Sequence, residues 1–279
     1  MARKNDEKLD AEKFYDKHAK TYSTGDFPSG AFDEVARTAL RFADDITWHF
    51  ILKYAPRNKG ALILEAGAGD GHWGERLLER GYNNLVISDL SQAMLEQAQN
   101  RLVPYTDRNL QFVKADITNM REFKANTFDY VFSQYDAVSY SMKPQEAMNE
   151  LARIAKNGTY IVVCLDTKFR RVPEFIEAGQ IDAARKLLET NISQEFAYPQ
   201  YNLCWEELAE NFETAGLHVE EVVGAPVFVH QVKETILKEL ENDPRIRNEL
   251  LKMELEYCTT KSLVNFAGHL QMIGRKAST

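Results

Sequence analysis

Five short apolar runs separated by polar turns occupy residues 61–165, and they leave few folds open to this chain. The runs are Ala61–Glu65, Leu85–Ser88, Gln111–Lys114, Phe128–Ser133 and Thr159–Leu165, and each reads as a buried strand. Helical spacing fills most of the gaps, over Trp73–Arg80, from Ser91 to about Leu102, and over Pro144–Ile154. Apolar strands alternating with helices predict a parallel sheet covered on both faces, an α/β doubly wound fold.

The flanking regions follow other patterns. Residues 1–12 are polar and predicted to fray, and amphipathic helices are expected between Lys13 and Ala55 around a loop at Ser23–Gly30. Beyond Asp166 the alternation breaks. One helix is predicted near Ile181–Glu189, another over Trp205–Ala215, and strands over His218–Val223 and His269–Ile273. Between those strands lies the strongly charged stretch Thr235–Tyr257. This organisation suggests a helical N-terminal segment (1–55) and one main domain (56–279), with insertions at about 167–200 and 230–260.

Composition excludes several classes. Hydrophobic residues at 44% suffice for a packed core, and no apolar run reaches the ~18 residues of a membrane span. Residues 1–20 lack the apolar stretch of a secretory signal, so a cytoplasmic location is expected. Cys164, Cys204 and Cys258 are too widely spaced for a disulfide framework or a metal cluster. A net charge of −8 disfavours nucleic acid as a partner.

The segment Leu64-Glu65-Ala66-Gly67-Ala68-Gly69-Asp70-Gly71 provides a tight strand-to-helix turn that brings backbone and a helix N-terminus close to a ligand. Gly69-Asp70-Gly71-His72-Trp73-Gly74 also matches the dinucleotide pattern G-x-G-x-x-G, so an NAD site must be weighed. Glu65 opposes that reading, because its charge would face a pyrophosphate. Asp89, at the end of the second strand, can accept ribose hydroxyls in either kind of site. Asp116 ends the third strand, where a carboxylate can accept from an adenine amine, and the two closing strands allow an antiparallel last strand.

Taken in order, the motifs Glu65–Gly71, Asp89-Leu90, Ala115-Asp116-Ile117, Phe128–Ser133, Lys156–Tyr160 and Trp205–Leu217 resemble those of class I S-adenosylmethionine (SAM)-dependent methyltransferases of the small-molecule type. The resemblance implies a Rossmann-like, mostly parallel seven-stranded sheet with an antiparallel last strand, SAM as methyl donor and S-adenosylhomocysteine (SAH) as product. It places Glu65 near the methionine ammonium, with Gly67, Ala68 and Gly69 under the methionine and ribose. Asp89 would hold the ribose hydroxyls, Leu90 and Met94 would pack on adenine, Asp116 and Ile117 would read its edge, and the Ser133 carbonyl would face the amino-acid end. Tyr15 and Tyr22, in a segment that folds over SAM in many members, are further candidates; ordinary packing is the alternative for both tyrosines, for Leu90 and for Met94.

Methyl transfer needs alignment and exclusion of water, and a base only where the acceptor keeps a proton. No catalytic residue is assigned beyond His230, whose imidazole has the chemistry of a base but which stands alone in the sequence. Family topology offers Tyr135 and Asp136, the aromatics Phe169, Phe175, Tyr198 and Tyr201, and His230 as acceptor contacts, and His72 would lie close to SAM. Ser133-Gln134-Tyr135-Asp136 replaces the Asn-Pro-Pro-Tyr type of motif, which disfavours DNA-amine and glutamine methylation. A small molecule methylated on O or N is the expected acceptor. RNA or protein methylation, and SAM binding without methylation, are the alternatives. Both insertions are expected to cap the methyl end, with a homodimer contact as the alternative role of the second.

Overall fold

The computed structural model describes residues 3–22, 36–195 and 198–278. Two helices come first, α1 (Arg3–Tyr22) and α2 (Ala36–Tyr54). There follow β1 (Ile63–Ala66), α3 (His72–Glu79), β2 (Asn84–Asp89), α4 (Gln92–Arg101), β3 (Asn109–Lys114) and β4 (Tyr130–Ser133). Next are α5 (Ala137–Tyr140), α6 (Pro144–Ile154), β5 (Tyr160–Asp166), α7 (Lys168–Glu177), α8 (Ile181–Thr190) and the hairpin β6 (Ile192–Glu195) and β7 (Tyr198–Tyr201). The chain closes with α9 (Trp205–Thr214), β8 (Leu217–Ala225), α10 (Glu234–Glu241), α11 (Pro244–Tyr257), α12 (Lys261–Val264) and β9 (His269–Lys276).

Seven strands form the main sheet in the order β3-β2-β1-β4-β5-β9-β8. β9 runs antiparallel to both β5 and β8, and the other pairs are parallel. Successive side chains point to opposite faces, and both faces are apolar. Leu64, Val131 and Val163 pack with Leu151 of α6 and Phe212 of α9 on one side. Ile63, Ile87 and Phe132 pack with Ile51 of α2 and Leu77 of α3 on the other. Strand order reverses between β1 and β4, so the crevice outside their C-terminal ends is where a ligand is expected.

Several predicted elements differ from those observed. α1 is helical from Arg3, where a frayed end was expected. The stretch Thr235–Tyr257 is two helices, because Asp243 caps α11 by accepting from the Arg245 N–H (2.9 Å) and Pro244 cannot continue α10. Lys168–Glu177 forms α7 despite Pro173. The hairpin β6–β7 has no clear alternation in sequence; it turns buried Gln200 and Ser193 inward, and Ser193 donates to Asn202 next to the hairpin (2.6 Å). The predicted loop Ser23–Gly30 lies outside the described residues.

The two insertions have different surroundings. α10 and α11 pack against α2, and none of their described side chains lines the cavity described below. β7 instead packs against α1 and α5, two walls of that cavity. Among the described residues no helix is long and apolar enough to cross a membrane.

Candidate active site

The turn after β1 is shaped by close approach. Gly67 has φ +67°, and a Cβ there would lie 2.2 Å from that of Ala137 in α5. Only glycine fits the conformation and the space. Gly74, in the first turn of α3, has no room either: a Cβ would stand 2.8 Å from both Glu65 Oε2 and Ile87 Cδ1. The glycines therefore press helices onto the strand ends.

A cavity opens beside this turn. Its walls include Tyr15 and Tyr22 of α1, Gly67 and Gly69, Asp89, Leu90 and Met94, and Asp116 with Ile117. The expected SAM residues thus meet in one place, apart from Glu65, Ala68 and Ser133. Asp89 is locked in position: its Oδ2 accepts from the Gly69 N–H and its Oδ1 from the Ser91 N–H, both at 2.8 Å. Burial raises its pKa, and these backbone donors oppose the rise. Each oxygen keeps a second lone-pair direction for a ligand hydroxyl. Asp116 Oδ1 accepts from the Thr118 N–H (3.0 Å) and hydroxyl (2.9 Å), which fixes the carboxylate at the end of β3.

α1 is held over this cavity by polar contacts. Ser91 Oγ donates to Asp16 (2.5 Å), and Lys114 binds Glu12 (2.6 Å). Tyr15 meets Tyr22 and Tyr140, with ring centroids 6.0 Å apart in each case.

A second lobe, termed the inner lobe and the first the outer, shares Tyr15, Tyr22, Gly67, Gly69, Tyr135 and Tyr140 with the first. Ala68 faces this lobe, as do Asp44, His72, Trp73, Asp136 and His269. The Tyr135 hydroxyl donates to Asp44, and its ring packs between Trp73 (5.7 Å) and His269 (4.9 Å). His269 Nε2 lies 3.9 Å from Asp136 Oδ2, while Asp136 Oδ1 accepts from the Asp166 N–H (2.6 Å). Burial pushes the His269 pKa down to about 4, so the ring is neutral at physiological pH. Asp44 and His269 carry no local motif in the sequence. They reach the lobe because α2 crosses the sheet and β9 starts beside the end of β5.

The remaining candidates lie outside the two lobes or beyond the described side chains. His230 lies outside both lobes, in a turn after β8, where burial lowers its pKa to about 4; His72 and His269 are the described histidines that line the inner lobe, and His269 is the one beside Asp136. Tyr201 packs on the main apolar core and lines neither lobe. The Tyr198 side chain lies outside those described. Glu65 and Ser133 are buried at the strand ends and do not line either lobe, which leaves a contact of Glu65 through water or backbone, and of the Ser133 carbonyl, as expectations.

Glu65 has a further consequence. It is 2% exposed beneath α3, and burial raises its pKa well above the usual carboxylate range, with Asp70 and Asp89 adding to the rise. Between the ordinary glutamate value and the raised one, the folded protein keeps a proton that the unfolded chain has released. Stability therefore falls as pH rises through that window, by about 1.4 kcal/mol per pH unit. Below the window both states are protonated and the penalty vanishes. Glu65→Gln should flatten this part of the profile in urea titrations at pH 5 and pH 7. The same slope in mutant and wild type would assign it to other groups.

Comparison with known proteins adds sequence and fold relationships. Residues 63–158 match a family described as "Methyltransferase domain". A demethylmenaquinone methyltransferase of Clavibacter sepedonicus is 32% identical over 143 residues, covering 49% of this chain and 56% of that protein. A ubiquinone/menaquinone biosynthesis C-methyltransferase of Ruegeria sp. (strain TM1040) is 33% identical over 111 residues, covering 39% and 43%. The matches thus span about half the length of these curated relatives. Magnesium protoporphyrin IX methyltransferase from Synechocystis PCC 6803, solved with bound SAH, has the same fold at TM-score 0.61 and 12% identity, covering 98% of this chain and all of that one. The cyclase SpnF is equally close, with TM-score 0.61, 14% identity and 96% of each chain covered.

Proposed function

We propose that this chain, whose residues 63–158 form a class I methyltransferase domain, binds SAM in the outer lobe and transfers its methyl group to a small molecule in the inner lobe. The observation that carries the reading is Asp89, fixed by two backbone donors at the crevice where strand order reverses and lining the cavity there.

The residues present fit the donor. Asp89 would accept the ribose hydroxyls, Leu90, Met94 and Ile117 would hold the adenine, and Asp116 would accept from its amine. The Gly67–Gly69 turn would hold the methionine chain in the part of the cavity lined by Tyr15, Tyr22 and Tyr140. Bound SAM supplies an electrophilic methyl group on a sulfonium. Tyr135, Asp136 and His269 face the acceptor, and neutral His269 can hold or receive its proton beside Asp136. Aromatic walls and α1 exclude water, which favours an in-line displacement.

Incubation with methyl-labelled SAM and a metabolite extract tests this reading. A labelled small product supports it; label in RNA or protein, or no transfer despite SAM binding, favours the alternatives. On the same rate assay, His269→Ala should lose about tenfold, one hydrogen bond of about 1.5 kcal/mol. His230→Ala should stay within twofold. A reversed ranking would move the acceptor site to the loop after β8. Asp116→Asn, which swaps a pure acceptor for an amide, should weaken SAM binding by about 1–2 kcal/mol in calorimetry.

A further inference from the structure

A polar layer interrupts an apolar face of the sheet. Val162, Val223 and Ile273 pack with Ile51 of α2 on that face. Gln271 of β9 lies among them, opposite Cys164 of β5 on one side and Val223 of β8 on the other, and it is fully buried. Its amide reaches across β5 to Gln134, which follows β4 and lines the inner lobe although only 4% exposed.

Gln271 Nε2 donates to Gln134 Oε1 (3.3 Å) and to the Thr47 carbonyl of α2 (3.4 Å), and Gln134 Nε2 donates to the Val162 carbonyl (3.5 Å). Each bond is long, yet together they leave the two amides a single arrangement. Both ends of the chain are backbone carbonyls, which only accept. Turning Gln271 over would set its oxygen against the Thr47 carbonyl, and turning Gln134 over would do the same at Val162. The polarity of Gln134 is therefore fixed from both ends.

Stability is not what this layer provides. Gln271 Oε1 has no hydrogen-bond partner among the described residues, and a buried polar atom left unpaired costs free energy that an apolar side chain avoids. What the layer does supply is a defined group at the lobe. One N–H of Gln134 is taken by Val162, and the other remains to be used. A hydrogen bond accepted at the amide oxygen polarises the amide, so this second N–H becomes a stronger donor.

We propose that Gln134 is a specificity-determining residue of the inner lobe, where it donates this N–H to a carbonyl or hydroxyl oxygen of the acceptor, and that Gln271 is the positioning residue that holds its polarity. The proposal rests on the reading of the inner lobe as the acceptor site.

Calorimetry on protein saturated with SAH tests both parts, with acetophenone and α-methylstyrene as probes. A methylene group in the second replaces the carbonyl oxygen of the first, so shape is kept and the hydrogen-bond acceptor is lost. Gln134→Leu should weaken acetophenone binding by about fivefold or more, the worth of one hydrogen bond, and change α-methylstyrene by less than about twofold. Gln271→Met keeps the volume but lets Gln134 turn, and should weaken acetophenone by a smaller factor, about threefold, again sparing the hydrocarbon. SAH affinity should stay within about threefold of wild type in both variants, because neither residue lines the outer lobe. Infrared difference spectra of carbonyl-labelled acetophenone add a readout that needs no variant. The carbonyl band of the bound ketone should lie below its position in hexane, and should move back toward it in each variant. Equal losses for the two probes, no loss in Gln134→Leu, a wild-type band at the hexane position, or no binding of acetophenone to wild-type protein overturns the proposal. Unchanged acetophenone affinity in Gln271→Met strikes the positioning role of Gln271. Failure of SAH itself to bind would instead sink the donor reading of the outer lobe, whatever the probes do.

Discussion

Asp89→Ala should weaken SAM binding by about 2–4 kcal/mol, roughly 30-fold to 1000-fold. On the proposed reading the side chain would make two kinds of contact that alanine cannot replace. It would lose the charge-assisted bonds to both ribose hydroxyls, which are stronger than neutral ones. It also releases the Gly69 and Ser91 N–H groups, now held at 2.8 Å, so the glycine turn and the start of α4 lose the carboxylate that joins them. Asp89→Asn offers a control, because it keeps one acceptor oxygen and should fall between wild type and alanine. Calorimetric titration of SAM measures both. A dissociation constant within threefold of wild type for the alanine variant would remove Asp89 from the ribose site and with it the central support for the donor reading.

Glu254→Ala should be the most destabilising single change, at about 3–5 kcal/mol. Glu254 projects from α11 and is fully buried. Its carboxylate accepts from the backbone N–H groups of Val227 (2.7 Å), Phe228 (2.8 Å) and Val229 (2.7 Å), in the turn after β8. Burial raises its pKa, and the three donors pull against that rise. Alanine would strand three donors in a site with little water and leave a cavity beneath α11. Urea denaturation should show a lower midpoint with an unchanged slope, and SAM affinity should persist, because the second insertion lies outside both lobes. A loss below 1 kcal/mol would mean that water reaches the turn and replaces the carboxylate. Glu254 fell inside a charged stretch that reads as a solvent-exposed helix face. Nothing local distinguishes it from Glu249 or Glu256; only the docking of α11 on α2 turns this one inward.

The sequence by itself determined what depends on neighbouring residues and on period. Apolar runs alternating with helical spacing fixed the parallel sheet, since strands buried on both faces must be apolar throughout. Gly67, Gly69, Asp89 and Asp116 could be located from sequence because each stands at the C-terminal end of a strand, and parallel strands bring those ends to one edge of the sheet. The antiparallel last strand was foreseen from the two closing strands. Tertiary structure alone decided the inner lobe. Asp44 comes from α2, Trp73 from α3, Asp136 from the turn after β4 and His269 from the start of β9, separated by as many as 225 residues in the chain. No periodicity relates such positions: His230 and His269 are both single histidines beside the closing strands, but β9 pairs with β5 in a register that sets His269 opposite Asp166. The same holds for the insertions. Their composition showed that they were additions to the fold, but whether each covers the cavity or packs behind it depends on which apolar surface was left uncovered by the core, and that is a property of the assembled sheet and helices.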